Sequence, residues 1–175
     1  MIKKQYIITD PCYILDDATW DNICNQCKSE DFYNGTFDSL VTKELNKLAG
    51  TTDAQATHTG FGDWENLIHS DDESKVLHGD FFADSGMVCV VEYNDAVKKA
   101  LINNDNEKLI ERGGIAVIET EGNVTIEFDH TDKSWTEITI QDDNNVFCSI
   151  PASSTYDEDE SDEWEDEEEL NFDDG

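Results

Sequence analysis

The hydrophobic pattern of the first fifty residues predicts two amphipathic helices. In DDATWDNICNQCKSE, residues 16–30, apolar side chains recur three and four positions apart, as on one helical face, behind an acidic start. TFDSLVTKELNKLAG, residues 36–50, has the same spacing and ends at Gly50, because glycine readily adopts the conformation that stops a helix. The polar residues 50–66 that follow are predicted to form a loop.

Alternation of apolar and polar residues predicts strands in the rest of the chain. The first strand is QYIITD, and two more lie in residues 75–83 and 86–93, with a break near Asp84-Ser85-Gly86. Asn94 is expected to cap a helix in DAVKKALINN. The last four runs, GIAVIET, NVTIEFDH, SWTEITIQ and NVFCSIP, are separated by turn residues and predict an antiparallel meander.

The order of these elements indicates the fold class and the domain organisation. Helices and strands do not alternate regularly, so the predicted class is α+β, with a mainly antiparallel sheet, a C-terminal β-meander and about three helices. Residues 1–151 are predicted to form one globular domain. Residues 152–175 are predicted to form a disordered acidic tail, because they contain too few apolar side chains to pack.

Cysteine usage and hydropathy indicate the cellular compartment in which the protein is expected. No run of 18 apolar residues occurs, so no membrane span is predicted. The first residues lack the cleavage pattern of a signal peptide. The five cysteines, an odd number at irregular spacing, do not form the framework of a secreted disulfide-rich protein. The sequence therefore predicts a cytoplasmic protein.

Charge is the most extreme quantity in the composition. The chain has 42 Asp and Glu against 11 Lys and Arg, a net charge of −31. Thirteen of the acids lie in the last twenty residues, and residues 1–150 still hold 29 acids against 11 bases. Such a surplus repels nucleic acids and anionic membranes and attracts basic partners. A globule of about 150 residues is roughly 38 Å across, and duplex DNA of that length carries about 22 phosphate charges.

Cys24 and Cys27 form a Cys-x-x-Cys pair, which suits redox chemistry or half of a zinc site. No second pair with matching spacing follows, and both thiols lie on the face that the first helix is expected to bury. Buried cysteines behave as small hydrophobic residues, so an inert pair is the favoured interpretation. A site completed by Cys12 or by a histidine is the alternative. The histidines match no metal motif, and neither a metal nor a cofactor is predicted.

The stretch FFADSGMVCVV is similar to the Asp-Ser/Thr-Gly signature of retroviral-type aspartic proteases, in which two aspartates of a dimer share a proton. Asp84, Ser85 and Gly86 are the matching residues. Met87 departs from the small residue that is usual there, and the two-hydrophobics-then-Gly element has no clear counterpart. The resemblance implies a hydrolase with Asp84 as its catalytic residue, whereas ordinary turn chemistry explains the same three residues without catalysis.

ITDPCYIL and DSGMVCVV together resemble segments of small uncharacterised proteins of bacteriophages and bacteria. Those proteins have Asp-Pro-Cys-Tyr after the first strand and Asp-Ser-Gly before a later strand, and the matching residues here are 10–13 and 84–86. The resemblance implies no biochemical activity, but it implies a phage or mobile-element setting. In structural terms, Asp10 and Asp84 are expected to accept hydrogen bonds from backbone donors in two turns.

The final twenty residues, YDEDESDEWEDEEELNFDDG, place large apolar groups among carboxylates. Solvation alone requires neither Trp164 nor Phe172. A segment that binds a basic groove uses both kinds of group, because carboxylates steer association and apolar anchors slow dissociation. The tail is therefore predicted to contact a basic partner.

These patterns lead to the hypothesis of a non-enzymatic, phage-encoded inhibitor that imitates nucleic acid, similar by charge alone to acidic nucleic-acid-mimic inhibitors. Its partner would be a basic nucleic-acid-binding protein of the host, such as a restriction or CRISPR nuclease, the transcription machinery or a nucleoid protein, and it would bind neither nucleic acid nor membranes itself. An acidic binding module or chaperone for basic proteins and the Asp84 hydrolase are the alternatives.

The candidate partner-binding residues in the tail are Asp157, Glu158, Asp159, Glu160, Asp162, Glu163, Trp164, Glu165, Asp166, Glu167, Glu168, Glu169 and Phe172. Those on outward positions or turns of the meander are Glu119, Glu121, Glu127, Asp129, Asp132, Glu137, Asp142 and Asp143.

Overall fold

The computed structural model describes residues 3–32, 34–59, 64–130 and 136–153. In these ranges the chain forms the helices α1 (Asp17–Asn25), α2 (Thr36–Ala49), α3 (Asp95–Asn103) and α4 (Leu109–Arg112). The strands are β1 (Lys3–Thr9), β2 (Gln55–His58), β3 (Trp64–Ser70), β4 (Val76–His78), β5 (Asp80–Ala83), β6 (Met87–Glu92), β7 (Ala116–Glu121), β8 (Thr125–His130), β9 (Thr136–Gln141) and β10 (Val146–Ser153). The predicted acidic tail lies outside the described residues from position 154 onward, and β10 continues past the predicted domain end at 151.

The described strands form two five-stranded sheets in which neighbouring strands are antiparallel. Sheet A has the order β2-β6-β1-β7-β4, and sheet B has the order β5-β3-β10-β9-β8. The predicted α+β class with a mainly antiparallel sheet is confirmed. None of the helices in the described part of the chain combines the length and the apolar character needed to cross a lipid bilayer.

The molecule has three layers, with sheet A in the middle. Alternating side chains of β1 show this arrangement: Ile7 packs into the core under the helices, whereas Tyr6 and Ile8 pack into the core between the two sheets. Because sheet A is covered on both sides, β6 is buried at five consecutive positions, from Met87 to Val91. Sheet A covers one side of sheet B, and within the described ranges the side chains on the other side of sheet B are largely exposed.

α2 and α3 begin and end close to where the sequence predicts, whereas α1 begins as predicted but ends at Asn25, before the end of the predicted segment at Glu30. The side chain of Asp16 accepts a hydrogen bond from the backbone N–H of Thr19 at 2.8 Å and caps α1. Asn94 caps α3 in the same way, as predicted, through the backbone N–H of Val97 at 3.1 Å. Gly50 ends α2 with a φ of 71°, a conformation that glycine adopts without strain.

The prediction of a loop over residues 50–66 is wrong in part, because this segment contains β2 and the start of β3. β2 pairs with β6, thirty residues later in the chain, and its Ala56 N–H donates to the hydroxyl of Thr42 in α2. Both partners are distant in sequence, so the local polar pattern could not reveal the strand. The strand predicted over 75–83 is two strands, β4 in sheet A and β5 in sheet B, on either side of Gly79.

The predicted meander holds for three of its four strands. β8, β9 and β10 are consecutive neighbours in sheet B, but β7 lies in sheet A between β1 and β4. Both faces of β7 carry apolar residues: Val117 packs under the helices, and Ile118 packs between the sheets. Only the middle layer can cover such a strand on both sides, and Gly122, with a φ of 77°, lies in the turn that leads to the other sheet.

Candidate protein-binding surface

Five acidic side chains lie on the open face of sheet B, which we call the acidic face: Glu65, Asp80, Glu127, Asp129 and Glu137. Residues adjacent to them in the strands, including Asn66, Phe81, Ile126 and Ile138, are buried on the opposite side, against sheet A. Because side chains alternate along a strand, the acids must point away from the core. Four of the five are exposed, and Glu137 is half-buried.

The strand register places one pair of like charges directly opposite each other on this face. Asp129 lies opposite Glu137 in the β8–β9 pair, whereas Asp80 lies opposite the apolar Leu67 in the β3–β5 pair. Like charges directly opposite each other destabilise a sheet. No Lys or Arg occurs in the described strands of sheet B, although the face also carries His69. The acidic face is therefore a negative surface whose charges are not compensated within its own strands.

The cations lie mostly in another layer. Seven of the described Lys and Arg residues belong to the helical segments and their connections: Lys28, Lys43, Lys47, Lys98, Lys99, Lys108 and Arg112. Lys4, at the start of β1, is 3.9 Å from the carboxylate of Glu92 within sheet A. Arg112 approaches the acidic face, since it lines a cavity of about 480 Å³ with Glu65 and Asp80 at the β5 edge. The described cations are thus concentrated outside sheet B, whereas acidic residues occur both in that sheet and outside it.

The structure divides the predicted meander acids into separate groups. Glu127, Asp129 and Glu137 lie together on the acidic face. The expectation that Glu119 and Glu121 belong to the same surface is wrong, because β7 is a strand of sheet A. There Glu121 is paired in register with Lys3, and Glu119 with Gln5.

Asp142 and Asp143 lie in the β9–β10 turn, and only the second presents its charge outward. The carboxylate of Asp142 is buried and accepts the backbone N–H groups of Asn144 at 2.8 Å, Asn145 at 2.6 Å and Glu121 at 3.0 Å. It therefore ties the turn to sheet A and is not available to a partner. Asp143 is exposed and accepts the N–H of Asn123 at 3.3 Å.

Asp132 and all the predicted tail residues lie outside the described chain. The described chain ends at Ser153 of β10, which is paired in register with Glu65 of the acidic face. The last described residue of β10 therefore lies beside the acidic face. Sequence reasoning missed Glu65 and Asp80, although the alternation Glu65, Leu67, His69 against Asn66 and Ile68 is a strand pattern that could have identified the first of them.

A second cluster of acidic and nucleophilic groups joins the turn after β1 to the Asp84-Ser85-Gly86 turn. The buried carboxylate of Asp10 accepts the backbone N–H groups of Cys12 at 2.9 Å, Asp84 at 2.8 Å and Ser85 at 2.7 Å, and the Ser85 hydroxyl at 2.7 Å. A carboxylate has about four lone-pair positions, and all four are used here. Asp10 thus accepts a backbone donor in its own turn, as its sequence context predicts, and it also holds the distant turn at Asp84 and Ser85, which was not predicted.

Asp84 is exposed and accepts the hydroxyl of Tyr13 at 2.9 Å, and its carboxylate is 3.9 Å from the Cys12 sulfur. It accepts no backbone hydrogen bond within the described chain, so the turn-stabilising role expected for it falls to Asp10. Burial, together with the neighbouring carboxylates, raises the pKa of the Cys12 thiol and of the Tyr13 hydroxyl. Neither group is therefore activated as a nucleophile.

The same cluster does not fit a metal ion or a carboxylate dyad. Ligand atoms of Asp10, Cys12 and Asp84 lie within 4.8 Å of one another. However, Asp10 has no acceptor position left, burial raises its pKa, and it is inaccessible to a substrate. A cavity of about 540 Å³ beside Cys12 is lined by residues of α1 and of the segment after α3, and Asp84 is not part of its lining.

Cys24 and Cys27 pack at the margin of the core under the helices and are free thiols. Burial raises the pKa of both, and the Asp21 and Asp31 carboxylates act in the same direction on Cys24 and Cys27 respectively. In the described ranges neither thiol belongs to a group of three ligands with metal-binding spacing. Their surroundings are those of structural cysteines.

Comparison of the chain with protein-family models, with curated proteins and with solved structures found no match.

Proposed function

We propose that this protein binds a basic nucleic-acid-binding protein through the acidic face and the tail, and that it thereby displaces nucleic acid from its partner. In this proposal the carboxylates take the places of phosphates, and the setting is the bacterial cytoplasm, with a phage-encoded protein acting on a host target. The observation that carries the proposal is one acidic face without cations: the described strands of sheet B carry five outward acids and no Lys or Arg.

The density of charge supports a joint role for the face and the tail. Five strands spaced about 4.8 Å apart span about 19 Å, and duplex DNA of that length carries about 11 phosphates. The five carboxylates of the acidic face amount to roughly half of that charge. The thirteen carboxylates of the last twenty residues raise the total above it. The proposal therefore requires both parts for full affinity.

Apolar groups on the acidic face complement its charge. Leu67 is 37% exposed and Val146 is 45% exposed, and the strand alternation places both on this face. Fully desolvated apolar contacts slow dissociation, whereas charges at the periphery mainly accelerate association. Leu67 and Val146, with Trp164 and Phe172 of the tail, are the anchors in this proposal.

The experiment compares two variants with equal loss of charge. The first neutralises the acidic face (Glu65→Gln, Asp80→Asn, Glu127→Gln, Asp129→Asn and Glu137→Gln), and the control neutralises five acids of the helical segments (Asp21→Asn, Glu30→Gln, Glu44→Gln, Glu107→Gln and Glu111→Gln). Immobilised proteins are used to capture partners from a bacterial lysate at low and at high salt. We expect the control to retain its partner and the first variant to lose it.

Competition with labelled duplex DNA then separates this proposal from a chaperone role. A nucleic-acid mimic must release DNA from the captured protein, and its binding must weaken steeply with salt. An acidic chaperone binds the free basic protein without releasing DNA from a formed complex. Equal capture by both variants would refute the assignment of function to the acidic face.

A further inference from the structure

The β8 edge of the acidic face differs from the edges formed by β2 and β5. β8 has β9 as its single neighbour, and no other strand in the described residues pairs with its second side. In contrast, the Ala56 N–H of edge strand β2 donates to Thr42 of α2, and the Phe82 N–H of edge strand β5 donates to the carbonyl of Gly114 at 3.3 Å. An unpaired strand edge is a template for the backbone of another chain.

The two sides of β8 differ in chemistry along this edge. Glu127 and Asp129 point to the acidic face, with Glu137 of β9 directly beside Asp129. On the other side Ile126 is buried between the sheets, while Val124 and Phe128 are only partly buried against the same core. An additional strand would thus meet carboxylates on one side and an incompletely covered apolar margin on the other.

We propose that β8 accepts an extended segment of the basic partner as a sixth strand of sheet B, and that this segment alternates Lys or Arg with apolar residues. The inference rests on the proposed function and adds to it the mode of binding and the sequence pattern of the partner. Alternate side chains of a strand lie on opposite faces, so the basic residues reach Glu127 and Asp129 while the apolar residues cover Val124 and Phe128. The paired backbones supply the hydrogen bonds.

Charge also determines which strand this edge accepts. A second copy of the same chain carries a net charge of −31 and would place Glu127 and Asp129 against identical acids. Such a contact is repulsive, so the edge rejects self-association and selects a basic segment. Glu127 and Asp129 therefore both oppose aggregation through the β8 edge and favour a basic segment as its partner.

The test uses the full-length protein and two synthetic peptides of equal composition, each of about eight residues to span the six-residue β8 strand. One alternates lysine and valine, and the other has its lysines and valines in two blocks. Titration calorimetry gives the dissociation constants, and hydrogen exchange reports protection of the backbone amides of Thr125–His130.

We expect the alternating peptide to bind about tenfold more tightly than the block peptide. It should also protect the β8 amides, and N-methylation of alternate peptide amides should abolish its binding.

Two double variants with equal loss of charge distinguish the acids of β8 from acids elsewhere on the acidic face. Glu127→Gln with Asp129→Asn should weaken the alternating peptide by roughly fivefold to thirtyfold. The double variant Glu65→Gln with Asp80→Asn changes acids about 14 Å and about 19 Å across the sheet from β8. Both distances exceed the screening length of about 8 Å, so this variant should weaken binding of the alternating peptide less than about threefold.

Equal binding of the two peptides, unprotected β8 amides, or equal losses in the two double variants would overturn strand addition at β8. Those outcomes leave the proposed function standing, because a diffuse acidic face would still bind a basic partner. The proposed function fails instead when the variant with all five face acids neutralised keeps its captured partner. The two failures are therefore distinguishable.

Discussion

Two sets of carboxylates in this molecule have opposite surroundings. Asp10 and Asp142 are buried and together accept hydrogen bonds from six backbone N–H groups and one hydroxyl. The acids of the acidic face, such as Glu65, Glu127 and Asp129, are exposed and accept no backbone hydrogen bond within the described chain. We call the first set anchoring acids.

The difference shows how one residue type serves two purposes in a strongly acidic protein. A buried carboxylate destabilises the fold unless donors surround it, so an anchoring acid occurs only where turns can supply N–H groups. An exposed carboxylate needs no donor, but its neighbours of like charge reduce stability. Substituting an anchoring acid should therefore damage the fold, whereas neutralising a face acid should preserve it and change binding.

The largest expected effect is that of Asp10→Ala. The substitution leaves the N–H groups of Cys12, Asp84 and Ser85 without their acceptor, and we expect the free energy of unfolding to fall by about 3–5 kcal/mol. Urea unfolding followed by circular dichroism measures the change. Asp84→Ala is the matched control, since it removes an exposed carboxylate from the same cluster and should cost less than about 1 kcal/mol. Similar losses for the two variants would contradict the distinction between Asp10 and Asp84.

Asp142→Ala tests the second anchoring acid. Three backbone N–H groups lose their acceptor, and the turn loses its connection to Glu121 of sheet A. We expect a loss of about 2–3 kcal/mol in the free energy of unfolding. The neighbouring Asp143→Ala removes an exposed acid and should cost less than about 0.5 kcal/mol. If Asp143→Ala proved the more damaging change, the assignment of Asp142 as an anchoring acid would be wrong.

The hydrogen bond between Tyr6 and Asp53 predicts a loss of stability at alkaline pH. Burial of Tyr6, together with the hydrogen bond that its hydroxyl donates to Asp53, raises the pKa of this tyrosine. Below a pH of about 10 both folded and unfolded chains hold the proton, and its contribution to stability is fully present. Above that pH the unfolded chain loses the proton first, so the free energy of unfolding falls by up to about 1.4 kcal/mol per pH unit.

Denaturant unfolding at a series of pH values up to about 11 checks this expectation. Tyr6→Phe removes the titrating group, so its stability should fall less steeply above pH 10 than that of the unmodified protein. Parallel slopes for the two proteins would show that Tyr6 does not cause the alkaline loss.

The smallest effect has the opposite sign. Asp129→Asn removes a like-charge pair with Glu137, and we expect the free energy of unfolding to rise by about 0.2–1 kcal/mol. Glu65→Gln is the control on the same face, because Glu65 lies opposite Phe82 and not opposite an acid in the β3–β5 pair. A destabilising Asp129→Asn would mean that Asp129 contributes to the fold, and the contrast between the two sets would no longer hold.

Local patterns in the sequence were sufficient for much of the fold. The three longer helices follow from apolar spacing and from their caps, as Asp16, Asn94 and Gly50 illustrate. The strand character of the last four runs follows from alternation. These features depend on residues a few positions apart, so they can be read along the chain.

Alternation shows which side chains share a face, but it does not show which sheet a strand joins. Because β7 belongs to sheet A, Glu119 and Glu121 do not lie on the acidic face. Because β3 and β5 belong to sheet B, Glu65 and Asp80 do lie on it.

The sequence by itself determined the total charge, the helices and the alternation of the strands, because these depend on composition and on near neighbours. The tertiary structure alone decided which carboxylates are buried and which form a surface. Asp10 meets Ser85 across seventy-five positions, and Asp142 meets Glu121 across twenty-one. Burial and hydrogen bonding depend on such contacts between distant segments, which no local pattern encodes.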